Sequence, residues 1–101
     1  MESIVVTIAH KLGKDEVLRR LKPALGQASQ RFPAITVEQE IWNGDRMDFR
    51  VKAVGMSVVG NVLVSDETVR IETTLPWLLA RFADVVRKTI ARNGTVLLEK
   101  K

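Results

Sequence analysis

Between Ile35 and Leu75 apolar and polar side chains alternate with a period of two, and three turn-like clusters interrupt the pattern: Asn43-Gly44-Asp45, Val54-Gly55 and Ser65-Asp66-Glu67-Thr68. Such alternation gives a pleated strand one apolar and one polar face. Four strands fit: Ile35–Trp42, Arg46–Ala53, Met56–Val64 and Val69–Leu75. The connections are too short for crossovers, so consecutive strands pair antiparallel. A meander with one apolar face needs a cover, and the flanking segments must supply it.

Register follows from parity, because a slip of one residue turns every side chain to the other face. A two-residue turn at Asn43-Gly44 pairs Met47 with Glu40 and mixes faces. A three-residue loop with a bulge pairs Ile41 with Met47, Gln39 with Phe49 and Val37 with Val51, and is preferred. A two-residue Val54-Gly55 turn then pairs Val51 with Val58 and Phe49 with Gly60. A four-residue loop pairs Val64 with Val69 and Val62 with Ile71, so all three hairpins share one apolar face.

In this register Trp42, Arg46, Leu63 and Arg70 form an outward row, with Val59 nearby opposite Arg50 and Thr74. An outward Trp with Leu and Val, flanked by arginines, resembles an interface core. These residues are the expected contact surface, and a homodimer is one way to use it. Glu38 and Glu40 also read as outward, in cross-strand ion pairs with Arg46 and Arg50. Gln39 and Thr73 read as inward polar positions able to anchor an acyl or hydroxyacyl ligand between the sheet and the C-terminal helix.

On the N-terminal side, Ile4–Ala9 is a β-rich run that predicts a first strand. Gly13 suits an N-cap and Asp15 and Glu16 suit a first helical turn. Leu18, Leu21, Leu25, Ala28 and Phe32 follow at helical spacing. Pro23 predicts a kink or two short helices, and Pro33 a stop. On the C-terminal side, Pro76 suits a helix start, and Leu79, Phe82, Val86 and Ile90 form a stripe with Leu78 and Val85 beside it. Arg81, Asp84, Lys88 and Arg92 form a polar stripe whose bases Arg81, Lys88 and Arg92 suit an anionic surface. Asn93-Gly94 predicts the helix end, after which the apolar tail Val96-Leu97-Leu98 docks back as helix or strand.

The expected fold is α+β in the order β-α-β-β-β-β-α: a single domain over residues 1–101, its antiparallel sheet packed on one face by two helices. By analogy this is a reduced helix-grip arrangement.

The chemical inventory is poor. There is no cysteine, which fits a reducing cytoplasm, and neither a metal nor a cofactor is expected. His10, beside Lys11, is the single histidine, and no Gly-x-Ser-x-Gly elbow accompanies it. Gly55 and Gly60 lack the Lys-Ser/Thr ending of a phosphate loop, and Phe49 packing across Gly60 explains the second glycine better. The expected class is therefore non-enzymatic. The N-terminal Met-Glu-Ser-Ile-Val-Val-Thr-Ile does not read as a signal peptide, and no apolar run is long enough for a transmembrane segment. The net charge of +4 tolerates acidic partners, but aromatic residues amount to 5%, too few to read nucleic acid as one.

Thr7-Ile8-Ala9-His10-Lys11-Leu12-Gly13, with Glu16 and Arg20, resembles the start of a small bacterial family, the polyhydroxyalkanoic acid system or granule-region proteins. Trp42-Asn43-Gly44-Asp45-Arg46 with Phe49 is similar to its central hairpin, and Gly55, Gly60 and Leu75-Pro76-Trp77-Leu78-Leu79 to its later elements. The resemblance covers nearly the whole chain. It implies an accessory protein at polyhydroxyalkanoate storage granules in the cytoplasm, binding a granule surface or a granule protein. It carries no catalytic residues over, and His10 transfers only as a motif position of unknown role.

Overall fold

The computed structural model describes residues 2–31, 35–53 and 55–98. It contains strand β1 (Glu2–Ala9), helices α1 (Lys14–Leu21) and α2 (Ala24–Arg31), strands β2 (Ile35–Asn43), β3 (Arg46–Ala53), β4 (Met56–Val64) and β5 (Thr68–Leu75), a 3-10 turn (Ala80–Phe82) and helix α3 (Ala83–Leu97). The strands form one antiparallel sheet in the order β1-β5-β4-β3-β2. The helices lie against one face of it, giving the expected α+β arrangement: α1 reaches β4, α2 covers β2 and α3 lies mainly along β1.

Apolar side chains of the covered face build the core. Ile4, Val6 and Ile8 come from β1, Met47 from β3, Val58, Val62 and Val64 from β4, and Val69 and Leu75 from β5. Val17, Ala83 and Leu98 close it from the helix layer. The first predicted helix is two helices, parted at Lys22-Pro23 as the proline requires. Val17 is fully buried, with Leu18 and Leu21 packed beside it, so the apolar face of α1 is centred one residue earlier than the predicted stripe. Phe32, Pro33, Val54 and residues 99–101 lie outside the described residues, and so do the side chains of Leu25 and Ala28.

Two of the three predicted hairpin registers hold: Val51 pairs with Val58, Phe49 with Gly60, Val62 with Ile71 and Val64 with Val69. The first hairpin differs. Its loop has two residues, Gly44 and Asp45, so Asn43 pairs with Arg46 and Trp42 with the buried Met47. Gly44 has φ of 66°, the left-handed conformation such tight turns demand. The extra residue lies in the strand instead: the register shifts between Val37 and Gln39, Glu38 is bulged out, and Val37 still meets Val51.

This shift corrects two expected positions. Trp42 stands on the covered face, packed against the core, with the Lys22 ammonium 5.8 Å from its ring centre. Gln39 pairs with Arg50 on the open face and is exposed. The carboxylates change roles too: Glu40 accepts the Trp42 Nε1 hydrogen at 2.7 Å and Glu38 that of the Ser57 hydroxyl at 3.3 Å. Among the described residues neither makes the predicted arginine pair; Arg46 pairs with Asp48 instead.

The C-terminal helix also departs from expectation. Pro76 opens a series of i+3 turns before α3, with hydrogen bonds from the Leu79, Ala80 and Phe82 amides to the Pro76, Trp77 and Leu79 carbonyls. Helix α3 runs through Asn93-Gly94 to Leu97, because Gly94 serves packing rather than termination: the Ile8 side chain abuts it where a Cβ would stand. Leu98 then docks into the core.

Arg20 ties the helices together by donating to Glu16 on α1 and, at 3.0 Å, to the Leu97 carbonyl at the end of α3. Hydrogen bonds from Arg19 and Arg20 hold the Glu16 carboxyl down at about 2, below its ordinary 4.5. A depressed carboxyl contributes stability that is present above its unfolded value and lost as pH falls through the folded one. The stability advantage of the native chain over Glu16→Gln should therefore persist at pH 6 and shrink between about pH 4.5 and pH 2. Urea unfolding of both proteins across that range measures it.

Candidate functional site

His10 directly follows β1 and is buried. Its Nε2 lies 3.0 Å from the Ser65 carbonyl and its Nδ1 accepts the Leu12 amide at 3.3 Å. A carbonyl needs a donor and an amide an acceptor, so these partners select the neutral ring protonated at Nε2. The His10 amide also donates to the Glu67 carbonyl at 2.9 Å. The residue thus pins the exit of β1 to the β4–β5 loop. Both ring nitrogens are engaged by backbone groups. This gives the motif position a structural reason.

The open sheet face carries Arg46, Leu63 and Arg70 in one row, as expected, and Val59 between Arg50 and Thr74 in another. Ile41, rather than Trp42, is its apolar contribution from β2. The surrounding charges are partly satisfied: Arg46 lies 3.1 Å from Asp48, and Arg70 lies 4.0 Å from Glu72. An open depression of about 420 Å³ crosses this face, with Gln39, Arg50, Val59 and Thr74 among its lining residues. Thr73 is on the other side of the sheet, buried, its hydroxyl donating to the Val59 carbonyl at 3.0 Å. Gln39 and Thr73 therefore cannot line one cavity beneath α3.

The start of α3 presents a different surface. Trp77 is 76% exposed, Leu78 41%, Phe82 49% and Val85 62%. Leu79, Ala83, Val86 and Ile90 serve the core, leaving these four outside. Phe82 leaves the predicted stripe because it closes a 3-10 turn, whose three residues per turn rotate it away from the α-helical face. Trp77 lies outside the apolar stripe that the sequence pattern predicts. The available signal was the apolar run Leu75–Leu79, longer than one helical face can bury.

Cations border this apolar surface. Arg81, Lys88 and Arg92 are exposed, and the Arg81 guanidinium stands 6.0 Å from the Phe82 ring centre. The one acid of α3, Asp84, is held by Arg87 at 2.6 Å. Lys88 and Arg92 make no ion pair among the described residues. At 3.6 residues per turn, Val85 and Val96 follow one side of α3, with Lys88 and Arg92 alongside.

A family model described as "Putative polyhydroxyalkanoic acid system protein" matches residues 4–98. The chain belongs to this family. No curated protein and no solved structure gives a significant match. The span matched in this polyhydroxyalkanoic acid system family protein includes His10, the open sheet face and the apolar-basic surface of α3. No helix among the described residues is long and apolar enough to cross a membrane. Among the described residues no three of His, Cys, Asp and Glu gather as a metal site.

Proposed function

We propose that this protein is a non-catalytic accessory of the polyhydroxyalkanoate system that acts in the cytoplasm by binding storage granules. The observation that carries the reading is the α3 surface, where Trp77, Leu78, Phe82 and Val85 stand exposed beside Arg81, Lys88 and Arg92. Exposed large apolar side chains are ordinary singly, but a contiguous group rimmed by charge marks a contact surface. The open sheet face is the weaker candidate, because Leu63 stands between Arg46 and Arg70, each of which has a carboxylate partner. Family membership supplies the biological context, a polyester storage system.

A non-enzymatic role fits the side-chain inventory. His10 is spent on backbone contacts, and general acid–base work otherwise needs a sheltered carboxylate of raised affinity for protons. Glu16, the carboxyl most displaced from its ordinary value, is displaced the other way.

Fluorescence localisation of the tagged chain tests the proposal in polyester-storing cells beside non-storing ones. The expected result is rings or foci on granules, with Phe82→Ser/Val85→Ser reduced to a diffuse signal while its circular dichroism stays native. Diffuse fluorescence of the unmutated chain in both states would overturn the reading.

A further inference from the structure

We infer that the α3 surface is an interfacial anchor for anionic lipid headgroups. This deepens the reading above by naming the chemistry of the surface bound. The patch is distinguished by the charge it lacks. A packed protein interface shields its apolar centre with a rim of mixed charge. Here Arg81, Lys88 and Arg92 border the apolar side chains, while the one acid of the helix is engaged by Arg87. A second copy is a poor occupant, because a two-fold contact would bring these cations toward their own counterparts. Nucleic acid would match the charge but leave Leu78 and Val85 without partners.

A phosphate-bearing lipid interface satisfies both halves. Amphipathic surfaces of this type sink apolar side chains to the depth of the headgroup–acyl boundary and leave cations among the phosphates. Trp suits that depth, because its ring is apolar and its indole N–H remains polar. Trp77, with 76% of its surface exposed, is the residue placed to do so. It sits in the turn before the helix, its carbonyl accepting the Ala80 amide at 3.3 Å and its side chain in solvent. Arg81 reinforces the arrangement by lying over the Phe82 ring, so charge and apolar surface reach the interface together.

The test uses the whole chain with vesicles of phosphatidylcholine alone and with a phosphatidylglycerol fraction. Co-sedimentation is expected with the second and largely absent with the first, and it should decline as salt is raised. Tryptophan emission should shift to shorter wavelength on binding, and Trp77→Phe should abolish the shift, because Trp42 is packed against the core on β2, at the opposite sheet edge from the β1 strand along which α3 lies. Arg81→Glu/Lys88→Glu should weaken partitioning by about 30-fold or more, since each basic residue near an anionic surface contributes roughly fivefold. Phe82→Ser/Val85→Ser should weaken it by at least ~20-fold. All four side chains are exposed, so each variant should fold, and circular dichroism checks that it does.

Absence of binding to the anionic vesicles would overturn the inference, as would equal binding by both double variants. Granule localisation in cells without vesicle binding would also overturn it, and would assign the surface to a granule protein or the polyester itself. Vesicle binding with diffuse fluorescence in storing cells would sustain the lipid anchor and overturn the granule assignment.

Discussion

Replacing Gly60 by Ala should destabilise the protein by about 3 kcal/mol or more, enough to lower the melting temperature of a domain this size by roughly 12–24 °C. The added methyl would overlap the Glu72 carbonyl oxygen of the neighbouring strand and lie 2.6 Å from Cζ of Phe49. Phe49 pairs with Gly60 across β3 and β4 and rests its ring in the space a side chain would occupy. A ring can rotate, but the carbonyl belongs to the β4–β5 ladder in the middle of the sheet. Relief therefore requires moving a strand. Intrinsic strand preference favours Ala over Gly, so the clash alone sets the sign.

Two comparisons isolate that cause. Gly94→Ala also places a methyl against an occupied position, but the neighbour is the tip of the Ile8 side chain rather than backbone. Rotation of Ile8 and the roughly 1 kcal/mol helix preference of Ala over Gly offset much of the contact. Its effect should be well below that of Gly60→Ala. In the second comparison, Phe49→Ala should cost less in the Gly60→Ala background than in the native one, because one of the two clashes disappears. Thermal and urea unfolding of these variants measure both effects. A Gly60→Ala protein within ~1 kcal/mol of native would show that β4 and β5 can separate without loss, contrary to the packing described.

Much of this sheet was legible because its errors are self-correcting. Val51, Val58, Val62, Ile71, Val64 and Val69 agree on one face only in the observed register, so parity fixed the last two hairpins. The first hairpin needed one additional residue, which parity counts but does not locate. Placing it in the turn and placing it at Glu38 both bring Val37 opposite Val51. Between the two locations every side chain reverses, and Gln39 and Trp42 are the residues affected. Polar Gln39 gives little penalty on either face, and Trp42 can be read either as core or as interface. The α3 surface was illegible for another reason: Leu79, Phe82, Val86 and Ile90 have helical spacing, but the chain enters the helix through a 3-10 turn. Local hydrogen bonding, not periodicity, turned Phe82 outward.

The same ambiguity makes Trp42 and Ile41 the decisive pair for the first hairpin. Trp42→Ser is expected to cost about 2–3 kcal/mol, less than a fully buried aromatic because the ring is half-buried. The loss comprises its packing on the core beside Met47, the contact with Lys22 and the hydrogen bond to Glu40. Ile41→Ser, at a position 49% exposed, should change stability by no more than ~0.5 kcal/mol. With the extra residue in the turn the order would invert, since Ile41 would face the core and Trp42 the solvent. Urea midpoints of the two variants decide between the registers. They also determine how a localisation experiment is read: loss of granule binding in Trp42→Ser would follow from a weakened fold, whereas loss in a stable Phe82→Ser/Val85→Ser protein would follow from a missing contact.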